Sequence, residues 1–402
     1  MRLRPLLALC LAAGCGSSGG NAPDAGLDAA PDAPPQPALG ALMPKVVGGA
    51  EVMATPKIMA ITYANDPNRA DFDMFVTQYA ASAAWSAQVA EYGVGPLAAA
   101  TPGHLTDTAT ATMTEATFLA ALTAQLTGAT PAWGAPDPHT IYAFSVPPGT
   151  SFDDGTGTKC CQDYYGYHYF TTINGTTVPY AINCACTGGG LNALQNLTVT
   201  AAHEATETAT DPFYNGLGQA DDEHLAWTYV TAGEVGDMCD WADTVNLTNP
   251  AGISYAIQRT WSNAAAAAGT DPCVPEPTAS YYQSVPEAPD PAMVNAGGGL
   301  VTTHLSRIAK GASGQLTLHV HATPGAPGPF TVTVEDWNAV FGGPAFLTFT
   351  QPTGTFQDGA TVTVPVNVVG FDSALGSAAA AYQVTTKPVT GPSTYFYGLV
   401  GK

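Results

Sequence analysis

The spacing of apolar and polar positions changes character once along this chain. In the first part, Lys57-Ile-Met-Ala-Ile-Thr-Tyr63 reads as a buried strand broken by Asn65-Asp-Pro67. Phe72, Phe75, Tyr79, Ala83, Val89 and Tyr92 then recur at the three-and-four spacing of an amphipathic helix over 71–93. Residues 114–126 repeat that spacing, and Thr140-Ile-Tyr-Ala-Phe-Ser-Val146 is a second strand closed by Pro147-Pro-Gly149. Two aromatic segments, 164–170 and 178–182, read as strands packed on a helix that opens after Gly188-Gly-Gly190 and stops at Pro212, where a donor is lost and the ring clashes with the preceding turn. Beyond 295 the period becomes two, in 315–321, 330–334, 346–349, 361–368 and 381–384, with Gly/Pro turns between. The expected architecture is an α/β or α+β domain over 45–274, a Pro- and Glu-bearing linker over 275–295, and an all-β immunoglobulin-like sandwich over 296–402.

The helix that ends at Pro212 carries the chemistry. In Ala202-His203-Glu204-Ala-Thr-Glu207, His203 and Glu207 stand one turn apart and Glu204 projects about 60° from Glu207. That layout suits a catalytic zinc, with His203 and Glu207 as ligands and Glu204 as the base. Where His-Glu-x-x-His has a second histidine, Glu207 adds negative charge, which makes calcium the alternative cation. The bland alternative is a solvated helix face. A third ligand is expected in Gly233-Glu234-Val-Gly-Asp237-Met-Cys239, with Glu234 first, Asp237 second and Asp211 at the helix end third. The competing reading is that Glu234 and Asp237 cap local backbone donors. His168, alone among tyrosines, reads as structural, with a place in the cleft as its alternative.

Charge and cysteine usage narrow the setting. Hydrophobic residues make up 46% of the chain, but Lys+Arg number 11 against 32 Asp+Glu, a net charge of −21 that excludes nucleic acid and anionic lipid surfaces as partners. Met1-Arg-Leu-Arg4, an apolar run over 6–13 and Leu11-Ala-Ala-Gly-Cys15 resemble a bacterial lipoprotein signal over 1–15, with Cys15 lipidated and anchoring the chain to a membrane. The alternative is a plain secretory signal. Residues 16–44 have the Pro/Ala/Asp/Gly composition of a disordered tether. The expected location is the cell envelope, outside the cytoplasm. Six further cysteines in an oxidising compartment favour three disulfides, Cys160 and Cys161 pairing with Cys184 and Cys186, and Cys239 with Cys273.

Taken together, His203-Glu-x-x-Glu207-x-x-Thr210-Asp-Pro212, Trp227, Gly233-Glu-Val-Gly-Asp237-x-Cys239 and Tyr255-x-x-Gln-Arg259-x-Trp-Ser-Asn263 resemble secreted bacterial proteins related to the exordium, or phosphate-induced, family, over about 46–273. The resemblance implies a zincin-like domain and metallopeptidase activity. Thr206 and Thr208 replace the alanines common in such proteins. Two functions follow: a lipid-anchored zinc metallopeptidase acting on proteins or peptides, and a non-catalytic surface lipoprotein that binds polysaccharide or another envelope component around a structural or calcium site.

Overall fold

The computed structural model describes residues 36–248, 252–296 and 299–402. The export signal, Cys15 and residues 16–35 of the tether lie outside the described residues. The chain is β-rich overall, with 22% of it helical. Its first part is built on a six-stranded mixed sheet. Strands β1 (Lys57–Thr62), β2 (Thr140–Val146) and β4 (Thr176–Cys184) run parallel, and β3 (Gly166–Ile173) lies antiparallel on β4 at the sheet edge. The β3–β4 turn is Asn174-Gly175, both at positive φ, as a tight two-residue hairpin requires.

Four helices cover this sheet: α1 (Arg69–Ala80), α2 (Ala83–Val89), α3 (Glu115–Leu126) and α4 (Ala193–Thr210). Strand alternation sorts the side chains between two cores. Ile58, Ala60, Ile141, Ala143 and Ala181 join Phe72, Phe75 and Tyr79 of α1, Trp85 of α2 and Ala201, Ala202, Ala205 and Ala209 of α4. Met59, Ile61, Tyr142, Phe144, Tyr180 and Ile182 join Phe118, Leu122 and Leu126 of α3. The single helix expected over 71–93 is two helices. Ser82 adopts an extended backbone and its hydroxyl accepts from the Trp85 N–H, which starts a new helix in a new direction.

Helix α4 is buried along its length, with every residue from Asn196 to Thr210 shielded from solvent. Alanines on α4 meet alanines on the sheet, so backbones approach closely. At Gly166 a Cβ would fall 2.3 Å from Thr200 Cγ2, so β3 tolerates no side chain there. Three of the buried threonines are satisfied within the helix, Thr206 donating to the His203 carbonyl, Thr208 to Glu204 and Thr210 to Thr206. An Asn192/Gln195 capping box opens the helix, and Asp211 before Pro212 ends it.

The remainder is a two-sheet β-sandwich with a preface. Helix α5 (Leu225–Thr231) and strand β5 (Ser254–Ile257) lead to β6 (Tyr282–Pro286), β7 (Asp290–Asn295), β8 (Leu300–Arg307), β9 (Ser313–Ala322), β10 (Phe330–Asp336), the short helix α6 (Trp337–Val340), β11 (Leu347–Phe349), β12 (Thr361–Val368), β13 (Ala379–Pro388) and β14 (Thr394–Gly401). One sheet has the order β6-β9-β12-β11 and the other β7-β8-β14-β13-β10.

Two expected boundaries move. Residues 275–295 are no linker, because β6 and β7 are edge strands of the two sheets; their prolines, Pro286 and Pro291, suit edges where a missing donor does no harm. The tether also ends earlier than 44, since Leu39 and Met43 are buried and Leu39–Ala41 forms a turn of 3-10 helix. Nor do the two parts have separate cores. Trp227, Val235, Met238 and Trp261 share one cluster with Phe396, Tyr397 and Leu399 of β14, and the Trp227 and Tyr397 rings meet edge to face at 4.9 Å.

The expected disulfides form as Cys160–Cys184, Cys161–Cys186 and Cys239–Cys273, which suits an oxidising compartment. Among the described residues no helix is long and apolar enough to cross a membrane. Behind the third bridge, buried Arg259 pairs with buried Asp271 at 2.6 Å, while Asp271 also accepts from the Thr278 N–H and hydroxyl. Removing one partner leaves an uncompensated buried charge, so Asp271→Ala is expected to cost about 3–5 kcal/mol. Lys57→Ala, in an exposed pair with Asp137, is expected to cost under about 1 kcal/mol. Urea unfolding midpoints of the two variants check this, and equal losses would contradict the assignment.

Candidate metal centre

Three elements meet at the C-terminal half of α4: the helix itself, the edge strand β3 and the loop 233–239. From α4 come His203, Glu204 and Glu207, all buried, so the solvated-face alternative does not hold. His203 Nε2 lies 3.0 Å from Glu207 Oε2 and 3.6 Å from Asp237 Oδ1. On the other side, His168 Nδ1 lies 3.6 Å from Glu204 Oε2 and 3.8 Å from Glu207 Oε2. Glu204 Oε1 is 3.9 Å from His203 Nε2, and Glu234 Oε1 is 3.7 Å from His168 Nε2.

Glycine makes the convergence sterically available. A Cβ on Gly236 would lie 2.6 Å from His203 Nδ1 and 2.7 Å from Glu207 Oε1, so the loop backbone can rest directly on the helix. There the Gly236 and Asp237 N–H groups both donate to Glu207 Oε1 at 3.1 Å, which leaves Oε2 for the cluster. Behind His203, Gln258 follows β5. Its Nε2 donates to the Gly236 carbonyl at 2.7 Å, which orients its Oε1 to accept from His203 Nδ1 at 3.1 Å. The Nε2 lone pair of His203 then faces Glu207 and Asp237, as a metal-ligating imidazole requires.

The sequence placed some of these residues and not others. His203, Glu204 and Glu207 fall where helical spacing puts them. Asp237, the second choice, joins His203 and Glu207 in one group able to hold a metal ion; Glu234, the first choice, approaches His168 instead. Asp211 is spent on structure, its Oδ1 accepting from the Gly216 N–H at 2.7 Å. His168 is not a merely structural residue: it forms a second such group with Glu204 and Glu207. The signal for it is strand alternation, since Gly166 and His168 share the face of β3 turned to α4. Gln258 had no assigned role, although it falls inside the Tyr255-x-x-Gln-Arg259 motif. Tyr214, at φ +56°, was also missed; its hydroxyl donates to the His168 carbonyl at 2.9 Å.

Electrostatics suit the cluster to a cation. Three buried carboxylates and part-exposed Glu234 face two imidazoles, and among the described residues neither Lys nor Arg pairs with any of the four. Burial alone would lower the histidines, but Glu234, Glu204 and Glu207 push His168 up to about 9, and Glu207 with Glu204 pushes His203 well up. Desolvation and the Glu207 charge push Glu234 up to about 8 and raise Asp237 strongly. Burial works against Glu207 too, yet the two histidines hold it below the ordinary carboxylate value. His168 Nε2 is buried without a hydrogen-bond partner. Such a donor set fits a divalent cation that accepts both nitrogen and oxygen.

Solvent reaches the cluster past Glu234 and Asp237, whose side chains are 17% and 11% exposed. Asp237 also borders a cavity of about 590 Å³, whose walls include Tyr229 of α5, Asp240, and Trp337 and Phe341 from the sandwich.

No family model matches the chain, and no curated protein matches it. Among solved structures, domains 4 and 5 of the S-layer protein SbsC align over 39% of this chain and 90% of that one at 17% identity, with a TM-score of 0.17. A superposition that poor carries no argument about fold or function.

Proposed function

We propose that the protein is an extracytoplasmic, zincin-like zinc hydrolase that cleaves peptide bonds. The observation that carries this is the convergence of His203, Glu207 and Asp237 on one point, with Glu204 beside them and, among the described residues, no Lys or Arg paired to any of the carboxylates. Two imidazoles near that point favour zinc over calcium, which takes oxygen donors. Three protein donors leave room for substrate and water, as a catalytic rather than structural site does. Kinship with the exordium-related secreted proteins belongs to the same reading. Its support is that the separate motif segments meet in one site, Gln258 included.

Bound zinc would supply Lewis acidity, polarising a carbonyl and making water easier to deprotonate. The chain's own residues do the rest. Glu204 accepts the proton of the attacking water through Oε1, which faces His203. Gln258 fixes the His203 ring, and the two loop N–H groups fix Glu207. Burial keeps bulk water from screening these charges. The cavity bounded by Asp237, Trp337 and Phe341 gives an extended substrate a path to the site, so the sandwich, immunoglobulin-like in this reading, lends one wall. Lipidation at Cys15 would hold the enzyme at a membrane. A Cys15→Ser chain is expected to leave the membrane fraction, and unchanged retention would remove the anchor from the reading.

The deciding experiment is Glu204→Gln in the metal-loaded protein, assayed on an unfolded protein substrate. Loss of cleavage by about 10²–10⁴-fold with metal retained is expected. Wild-type protein without stoichiometric metal overturns the hydrolase. Stoichiometric calcium without cleavage would instead favour the non-catalytic, polysaccharide- or envelope-binding lipoprotein.

Proton linkage gives a second check. At pH 7 the metal-free site holds protons on His168 and His203, raised by their carboxylates, and on Glu234, raised to about 8. A cation must displace them, so zinc binding releases protons and the apparent affinity rises from pH 6 to pH 9. Titration calorimetry in buffers of different ionisation enthalpy counts those protons; an affinity flat across this range would contradict the assignment.

A further inference from the structure

We infer that the cluster is a dinuclear site, holding two divalent cations with the Glu207 carboxylate shared between them. This rests on the reading above that the cluster binds a divalent metal, and adds a second ion to it.

The donor atoms fall into two triads, His203/Glu207/Asp237 and His168/Glu204/Glu207, each with its atoms within 4.8 Å of one another. Glu207 belongs to both. Its Oε2 stands between the imidazoles, 3.0 Å from His203 Nε2 and 3.8 Å from His168 Nδ1, while Oε1 is tied down by two backbone N–H groups. Ligands about 2.1 Å from a common ion at tetrahedral or octahedral angles stand roughly 3–3.5 Å apart. The triad separations of 3.0 to 3.8 Å are close to that. A single ion leaves His168 and Glu204 without a ligand's role.

His168 supplies the independent observation. It is 4% exposed, and its Nε2 has no hydrogen-bond partner. A buried histidine kept only for packing has both ring nitrogens satisfied. With Nδ1 on a cation, Nε2 carries the proton and faces Glu234 Oε1, which at 3.7 Å stands just outside hydrogen-bond distance and would have to close that gap to give the carboxylate–histidine–metal arrangement that orients such ligands. Gln258 does the equivalent for His203 from the opposite ring nitrogen. Each histidine then has one nitrogen for an ion and one for an orienting group. Glu234 is thereby a positioning residue rather than a ligand.

Charge points the same way. Once a metal has displaced their protons, buried Glu204, Glu207 and Asp237 and part-exposed Glu234 carry four negative charges that one divalent ion half neutralises and two balance. Glu204 can serve both readings, because Oε2 faces His168 while Oε1 faces His203 and stays free to accept a proton. The ions suited to mixed nitrogen and oxygen donors are first-row divalents such as zinc and manganese, and hydrolytic ion pairs sit about 3.5–4 Å apart.

The test loads the metal-stripped full chain with Mn²⁺ alone and measures bound metal by mass spectrometry, with electron paramagnetic resonance on the same sample. Two ions per chain with an exchange-coupled spectrum are expected, falling to one ion with an isolated-ion spectrum in His168→Ala. One ion per chain in the wild type, with the isolated-ion spectrum, overturns the dinuclear site and leaves the mononuclear hydrolase standing. No bound ion, with zinc as with manganese, overturns both. The wild-type spectrum decides the matter even where the variant does not fold.

Discussion

The constraint that organises this molecule is electrostatic: Glu204, Glu207 and Asp237 are buried with two imidazoles, Glu234 stands at their edge, and among the described residues no Lys or Arg pairs with the acids. Desolvating a carboxylate is costly by several kcal/mol even after relaxation, and like charges a few ångströms apart make it worse. Without a cation, protons on His168, His203, Glu234 and Asp237 carry the balance, and those groups are pushed far from their ordinary values. A fold does not assemble such a cluster for stability, since apolar residues of similar volume would serve a core better. The cluster makes sense as a receptacle for positive charge.

Close approach makes it possible. The alanine face of α4 lets the helix sit low on the sheet, Gly166 lets β3 pass it, and Gly236 lets the loop backbone donate to Glu207. A methyl group at either glycine would fall within 3 Å of the cluster or its support. Small residues here are positioning devices, and they explain why a chain rich in alanine and glycine can hold six polar side chains within reach of one another.

What the sequence made legible followed physical regularity. The 140–146 strand matches the structure to the residue because an apolar run meets Pro-Pro-Gly, and 361–368 does so because it alternates strictly. The relation of His203, Glu204 and Glu207 was legible because helical geometry is fixed. Strand β14 was not, since it is covered on both faces, by the sandwich core and by Trp227, and so shows no alternation. Strands β6 and β7 hid behind their prolines. His168 was hidden by flanking tyrosines that pack as expected, and Gln258 by a role that exists only once distant segments meet.

The sandwich is more than an appendage to the metal centre. Val235 and Met238 lie inside the loop that carries Glu234 and Asp237, and both are fully buried in the cluster that contains Phe396, Tyr397 and Leu399 of β14. The loop is thus held at two levels: its backbone on Glu207, and its apolar side chains in the sandwich core. Cys239, at its end, is bonded to Cys273 just before the sandwich begins. A loop positioned this way depends on the second part of the chain for its geometry, because Val235, between its two acids, and Met238, just after them, are both buried in the cluster shared with β14. The 45–274 segment therefore carries the His/Glu/Asp cluster, but the sandwich holds the loop of it that supplies Asp237.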